Sequence, residues 1–186
     1  MMKQETQRII KRILNDIRVE MSDEFDQNFE REAFFSEAWQ RSRSPTRRGG
    51  HILVDTGRLR RSVRSRMTDN SVTFYTTESY AAIHNDGGEI VVTQKMKRYF
   101  WRKHYEATGS FGRKKDGSLR KDKRNAQLGS EAEFWKFMAL KKAGTTIKIP
   151  RRRFLGNSPE VERMVRGIIE RNLEEYINLE FKITEK

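Results

Sequence analysis

The sequence predicts an α+β chain: a small antiparallel β-sheet packed against long N-terminal and C-terminal amphipathic helices, with a helical, basic insertion. Ile10, Ile13, Leu14, Ile17, Met21, Phe25 and Phe29 recur at spacings of three and four, the stripe of one long helix. Val161, Met164, Val165, Ile168, Ile169, Leu173, Tyr176 and Ile177 repeat that period near the other end. Between them lie short alternating segments rich in Val, Thr, Phe and Tyr, bounded by turn-forming residues.

Taken in order, the first helix is expected from about Thr6 to Ala33. The loop Ser42–Gly50 (SRSPTRRGG) follows, where Pro45 and Gly49-Gly50 break regular structure. Val63–Met67 and Val72–Thr77 alternate around Asp69-Asn70 and read as an antiparallel hairpin. Strands at Glu89–Thr93 and Thr145–Ile149 are expected to complete the same sheet. Gln94–Thr108 is helical in period and aromatic in content. Gly109–Ser130 is too glycine-rich and charged to offset its ordering entropy, so a mobile basic loop is expected. A short helix at Glu131–Lys141 ends before Gly144. Ser158 caps the last helix, Pro159 takes its first position, and Glu160 and Glu162 face its positive dipole end.

At 186 residues and 22.1 kDa the whole chain, 1–186, is expected to form a single domain, with the insertion at about 94–144. Hydrophobic and charged residues each make up 35%, and mean hydropathy is −0.89, so the core must be small relative to the surface. No apolar run approaches the length of about 20 residues needed to span a bilayer, and the start MMKQETQRII lacks a signal peptide's apolar stretch, so a soluble chain is expected. Cysteine is absent, which removes disulfides and thiolate chemistry, and His51, His84 and His104 lack metal-ligand spacing. No cofactor and no metal is expected.

The net charge of +13 predicts attraction to nucleic acid, acidic proteins or anionic membranes without choosing among them. Its distribution is uneven. Glu20, Asp23, Glu24, Asp26, Glu30, Glu32 and Glu37 make the end of the first helix acidic, whereas the segment from Arg41 to Arg66 holds nine arginines against Asp55. Such a switch suggests that acidic and basic surfaces meet within a subunit or between copies. The candidate interface residues are Glu24, Glu30 and Glu32 with Arg58, Arg60 and Arg61. A second candidate is the basic arm of Arg113, Lys114, Lys115, Arg120, Lys121, Lys123 and Arg124, suited to nucleic acid or a neighbouring protein, though no helix-turn-helix, zinc-finger or RNA-binding signature accompanies it.

Two strings invite an enzymatic reading. Asp55-Thr56-Gly57 matches the aspartic-protease tripeptide, but Arg58, Arg60 and Arg61 would favour ionising a carboxylate pair and oppose proton sharing. Asp55 capping a short helical turn, with Gly57 allowing close backbone approach, is the simpler expectation. His84 has no serine elbow, cysteine or second histidine nearby to make it a general base. Instead a turn or two of helix ending at Gly87 is expected, with Tyr80 and Ile83 or His84 packed inward and the imidazole hydrogen-bonded locally. Arg151-Arg152-Arg153 suits either a phosphate anchor or a basic link into the core residues Phe154 and Leu155, and the sequence does not choose.

Three strings occur in fixed order. Leu53-Val54-Asp55-Thr56-Gly57-Arg58-Leu59-Arg60-Arg61-Ser62 is followed by Tyr80-Ala81-Ala82-Ile83-His84-Asn85-Asp86-Gly87-Gly88, then by Ile149-Pro150-Arg151-Arg152-Arg153-Phe154-Leu155-Gly156. Together they resemble the phage virion morphogenesis, or tail-completion, family of Mu-like phages and prophages, with its D-T-G-x-L, Y-A-x-x-H-x-x-G-G and I-P-x-R-x-F-L-G strings. Trp39 ahead of a basic, proline-containing loop and the helix starting at Ser158 fit the same pattern. Gln94–Gly144 departs from it, being longer and more basic. The resemblance implies a non-enzymatic virion protein at the head–tail junction. It would form a ring on the tail axis, expected as a hexamer or another multiple, beside other neck, portal-adjacent or tail-terminator proteins and near DNA in the channel, with no membrane partner. Asp55, Thr56, Gly57, Leu59, Tyr80, Ala81, His84, Gly87, Gly88, Pro150, Arg153, Phe154, Leu155 and Gly156 would be its structural motif residues.

Overall fold

The computed structural model describes residues 2–42 and 51–184. The loop expected at Ser42–Gly50 therefore lies, beyond Ser42, outside the described residues. The described chain falls into two compact units. One holds the residues within Met1–Trp39, His51–Asp86 and Arg151–Lys186, the other those within Gln40–Gly50 and Gly87–Pro150.

In the first unit, α1 (Met2–Arg31) buries Ile17, Met21, Phe25 and Phe29 of the predicted stripe and leaves Ile10 exposed. The last helix, α6 (Pro159–Thr184), starts as expected, with Ser158 Oγ accepting from the Val161 amide at 3.3 Å. Glu20 pairs with Arg171 at 2.7 Å and Arg12 with Glu175, so the helices run antiparallel, with Ile168 buried between them. The expected antiparallel hairpin is present as β3 (Val63–Met67) and β4 (Val72–Thr76), with Ser65 opposite Phe74 and Arg64 opposite Tyr75. Its two-residue period turns Val63, Ser65, Phe74 and Thr76 inward and leaves Arg64, Arg66, Thr73 and Tyr75 exposed. Phe74 meets Phe25 edge-on at 5.2 Å.

After α1, Glu32 adopts a left-handed φ of 52° and the chain makes a minimal hairpin of β1 (Ala33–Phe34) and β2 (Glu37–Ala38). Two-residue strands carry no readable alternation, so this hairpin was not expected. It returns Trp39 to the core, where its ring meets Phe29 edge-on at 5.7 Å. Phe29 also touches Phe154, at 5.1 Å between centroids. Two short helices complete the unit, α2 (Arg58–Ser62) and α3 (Ala81–Asn85).

The second unit contains β5 (Gly88–Val91), α4 (Gln94–Gly109), α5 (Lys123–Leu140) and β6 (Thr146–Ile149). The expectation of one four-stranded sheet is corrected here, because β5 pairs with β6, antiparallel from Gly88–Ile149 to Val91–Thr146, and neither pairs with the first hairpin. Alternation marks a strand but does not choose its partner.

The loop expected over Gly109–Ser130 is corrected too. α5 begins at Lys123, eight residues before the expected Glu131, with Asp122 as N-cap accepting from the Asn125 amide at 2.8 Å. Leu128 and Ala132 are buried, Phe100 stacks on Trp135 at 5.8 Å, and the Ala132 carbonyl lies 2.8 Å from His104 Nδ1. This packing outweighs the weak propensity of Gly129-Ser130.

Phe29→Ala removes the ring that Trp39 and Phe154 both touch. Its expected cost is about 3–5 kcal/mol, read by urea unfolding followed by circular dichroism; a loss under about 1 kcal/mol would show that these contacts do not hold the unit together.

Candidate functional site

The three strings meet around Phe154, which is buried with Phe29, Trp39, Ile52, Leu59 and Ala81. Arg152–Leu155 is irregular chain, so its peptide groups need partners from outside the segment. The Arg152 amide donates to the His84 carbonyl at 2.8 Å. The amides of Phe154 and Leu155 both donate to Asn85 Oδ1, at 3.0 and 3.1 Å. Asn28 Nδ2 donates to the Phe154 carbonyl at 3.3 Å, and Trp39 Nε1 to the Arg153 carbonyl at 2.6 Å.

The second string thus serves through the end of α3. Ala81 is fully buried in the Phe154 cluster, whereas Tyr80 is exposed with its ring edge-on to His84 at 6.1 Å, so the expectation that Tyr80 packs inward is corrected. Gly87 has a φ of 74°, just beyond α3, where the chain leaves the first unit. Gly88 opens β5 and Pro150 follows β6, both in the second unit.

In the third string, the Arg153 guanidinium lies over the Phe34 ring at 4.6 Å and donates to the Asn157 carbonyl. Gly156 has a φ of 140°, and a Cβ there would sit 2.7 Å from Arg153 Nη2. Arg152 is buried and Arg153 lies over Phe34, so both link into the core, whereas Arg151 is exposed.

The first string runs from the core to an exposed turn. Ile52 is buried, its amide donating to Glu32 Oε1 at 2.5 Å. Leu53 adopts a φ of 65°, a strained conformation for a branched residue that packing against the Phe154 cluster sustains. Asp55 is exposed and does not cap α2; the N-cap is Gly57, at a φ of 71°, whose carbonyl accepts from the Arg61 amide at 3.0 Å. That left-handed angle favours glycine, and a Cβ at this position would lie 2.6 Å from Arg61 Nη1. Thr56 Oγ1 accepts from the Arg58 amide at 3.4 Å, and the Thr56 carbonyl accepts from Arg61 Nη2 at 2.9 Å. Leu59 is buried, and the Ser62 and Thr76 hydroxyls, 2.6 Å apart, tie α2 to β4.

The acidic end of α1 and the arginine-rich segment do meet, inside one chain. Arg60 forks onto Asp26, with Nε to Oδ1 at 2.6 Å, and also binds Glu30. Its hydrogen bonds to Asp26 first and to Glu30 second raise its pKa far above the ordinary guanidinium value. Arg58 pairs with Glu78 at 2.8 Å, and Arg31 with Glu24.

Asn28 and Asn85 are the functional residues that sequence reasoning missed. Asn28 stands on the apolar stripe between Phe25 and Phe29, a polar intrusion that could have marked a buried donor. Among the described residues, no group of three or more His, Cys, Asp or Glu could hold a metal ion, and no helix is long and apolar enough to cross a membrane.

These features define a class of protein: an α+β chain whose ordered strings build a packed junction of three chain segments. A family model described as the Phage virion morphogenesis family matches residues 3–174, and the chain belongs to that family, which bears out the resemblance and gives it a role in phage virion morphogenesis. Comparisons with curated proteins and with solved structures find no match.

Two measurements check the site. Asn85→Ala leaves two amides without their acceptor and is expected to destabilise the chain by about 2–3 kcal/mol in urea unfolding; an unchanged midpoint would mean that water replaces it. A double-mutant cycle of Arg60→Ala with Asp26→Ala, at protein concentrations where the chain is monomeric, should give a coupling of about 0.5–1 kcal/mol that shrinks with salt. Zero coupling would show that this pair does not hold α2 against α1.

Proposed function

We propose that this chain is a non-enzymatic structural subunit of a tailed-phage virion, acting at the head–tail junction to complete the tail. The observation that supports it most is that residues of all three strings, Leu59, Ala81, Asn85 and Phe154 among them, serve as core and backbone partners around Phe154.

A ring of identical subunits on the tail axis, a hexamer or another multiple, is the assembly that suits this position, and it requires one patch to meet a different patch on the next copy. Arg58 and Arg60, with Glu24 and Glu30, have partners in their own chain and stay partly exposed, so a contact between copies at these residues would have to reorganise those pairs. Neck, portal-adjacent or tail-terminator proteins are the neighbours this reading implies.

Electron microscopy of lysates from the parent phage with this gene disrupted tests the assignment. Separate DNA-filled heads and free tails are expected; normal virions would overturn it.

A further inference from the structure

We propose that the turn Gly112–Asp122 and the start of α5 form a sequence-independent binding surface for the phosphate backbone of duplex DNA. Between Gly87 and Pro150 stand sixteen lysines and arginines against six acids, so this segment carries most of the chain's +13. The two acids within the turn are occupied in shaping it. Asp116 accepts from the Ser118 amide and hydroxyl at 2.9 and 2.6 Å, and Asp122 caps α5. Lys114, Lys115, Lys121, Lys123 and Arg124 are exposed, and none forms an ion pair with a described residue.

The cations stand on a braced backbone. Asn125, buried at the start of α5, accepts from the Gly112 amide at 2.8 Å and donates to the carbonyls of Gly112 and Arg120 at 2.8 and 2.7 Å. Arg113 bridges to Leu119, and the Lys114 amide donates to the Ser118 carbonyl at 2.8 Å. Arg113 and Arg120 add side-chain bonds to the carbonyls of Gly117 and Arg113 at 2.9 and 3.0 Å. Ordering cost is therefore met in the fold and not at binding, which favours affinity.

Duplex DNA fits this surface better than an acidic protein does. Four of the five unpaired cations are lysines, point charges that bind phosphates without demanding a fixed geometry. Protein interfaces are depleted in lysine and centre on buried aromatic anchors, and the turn offers Leu119, 45% exposed, beside the half-buried Phe111 that precedes it. A surface of this kind contacts backbone and carries no sequence readout.

Fluorescence anisotropy of the full chain with a labelled duplex of roughly 30 base pairs tests this across a salt series. Two variants lose equal charge: Lys114→Ala with Lys115→Ala, Lys121→Ala and Lys123→Ala, against Arg8→Ala with Arg64→Ala, Arg66→Ala and Arg166→Ala, all exposed positions. Circular dichroism confirms that each is folded. The lysine variant should lose at least about tenfold in affinity near 0.1 M salt and flatten the log–log salt slope by about 3–4, while the arginine variant keeps the wild-type slope within about 1. Equal losses in both would reduce the attraction to diffuse net charge and overturn the site, as would no loss in the lysine variant. Displacement of DNA by polyglutamate at matched charge would overturn the choice of DNA. The inference does not need the head–tail position, since anisotropy reads the isolated chain and lysate microscopy reads assembly.

Discussion

The first unit depends on how the irregular segment Arg152–Leu155 is held. A buried stretch of chain outside any sheet leaves peptide groups that cost about 1–3 kcal/mol each when unpaired. Here they are met by the His84 carbonyl, the side chains of Asn85 and Asn28, and the Trp39 indole. These partners come from α1, the β1–β2 return and α3, so one segment fastens three others. Phe154 then fills the space they enclose, against Phe29 and Trp39. Fixing the fold this way ties distant segments together without a large sheet or a disulfide, in a chain with no cysteine.

Charge is divided between the two units by a different logic. In the first, acids of α1 and arginines of the following segment neutralise one another, with Arg60 shared between Asp26 and Glu30. Such half-exposed pairs contribute modestly to stability and more to fixing α2 against α1. In the second, cations outnumber acids and the acids of the Gly112–Asp122 turn serve as hydrogen-bond acceptors for its backbone. A chain whose positive charge is mostly unneutralised on one segment has a long-range field there that its other segment lacks.

How much of this was legible follows from how far apart the interacting residues lie. α1, α6 and the β3–β4 hairpin could be read because their signals are local: period, a Ser-Pro start, and a turn between two alternating runs. β5 and β6 were visible as strands, but their pairing across α4 and α5 has no local signature. The early start of α5 was hidden because its support is the buried contact of Leu128 and Ala132, which outweighs local glycine content. The three strings could be recognised as a set, yet the reason for them was not readable. Asn85 and Phe154 are 69 residues apart, and Asn28 and Phe154 are 126 apart. Asp55 looked like a cap because its residue type suits one, and only the backbone angle at Gly57 shows otherwise.

Native-state hydrogen exchange at the Phe154 and Leu155 amides tests most directly whether this segment is the fastening point of the unit. Both amides should exchange only through global unfolding, with the same free energy and urea dependence as core amides of α1 such as Met21 and Phe25. Exchange at the rate of an exposed loop, while α1 stays protected, would contradict it.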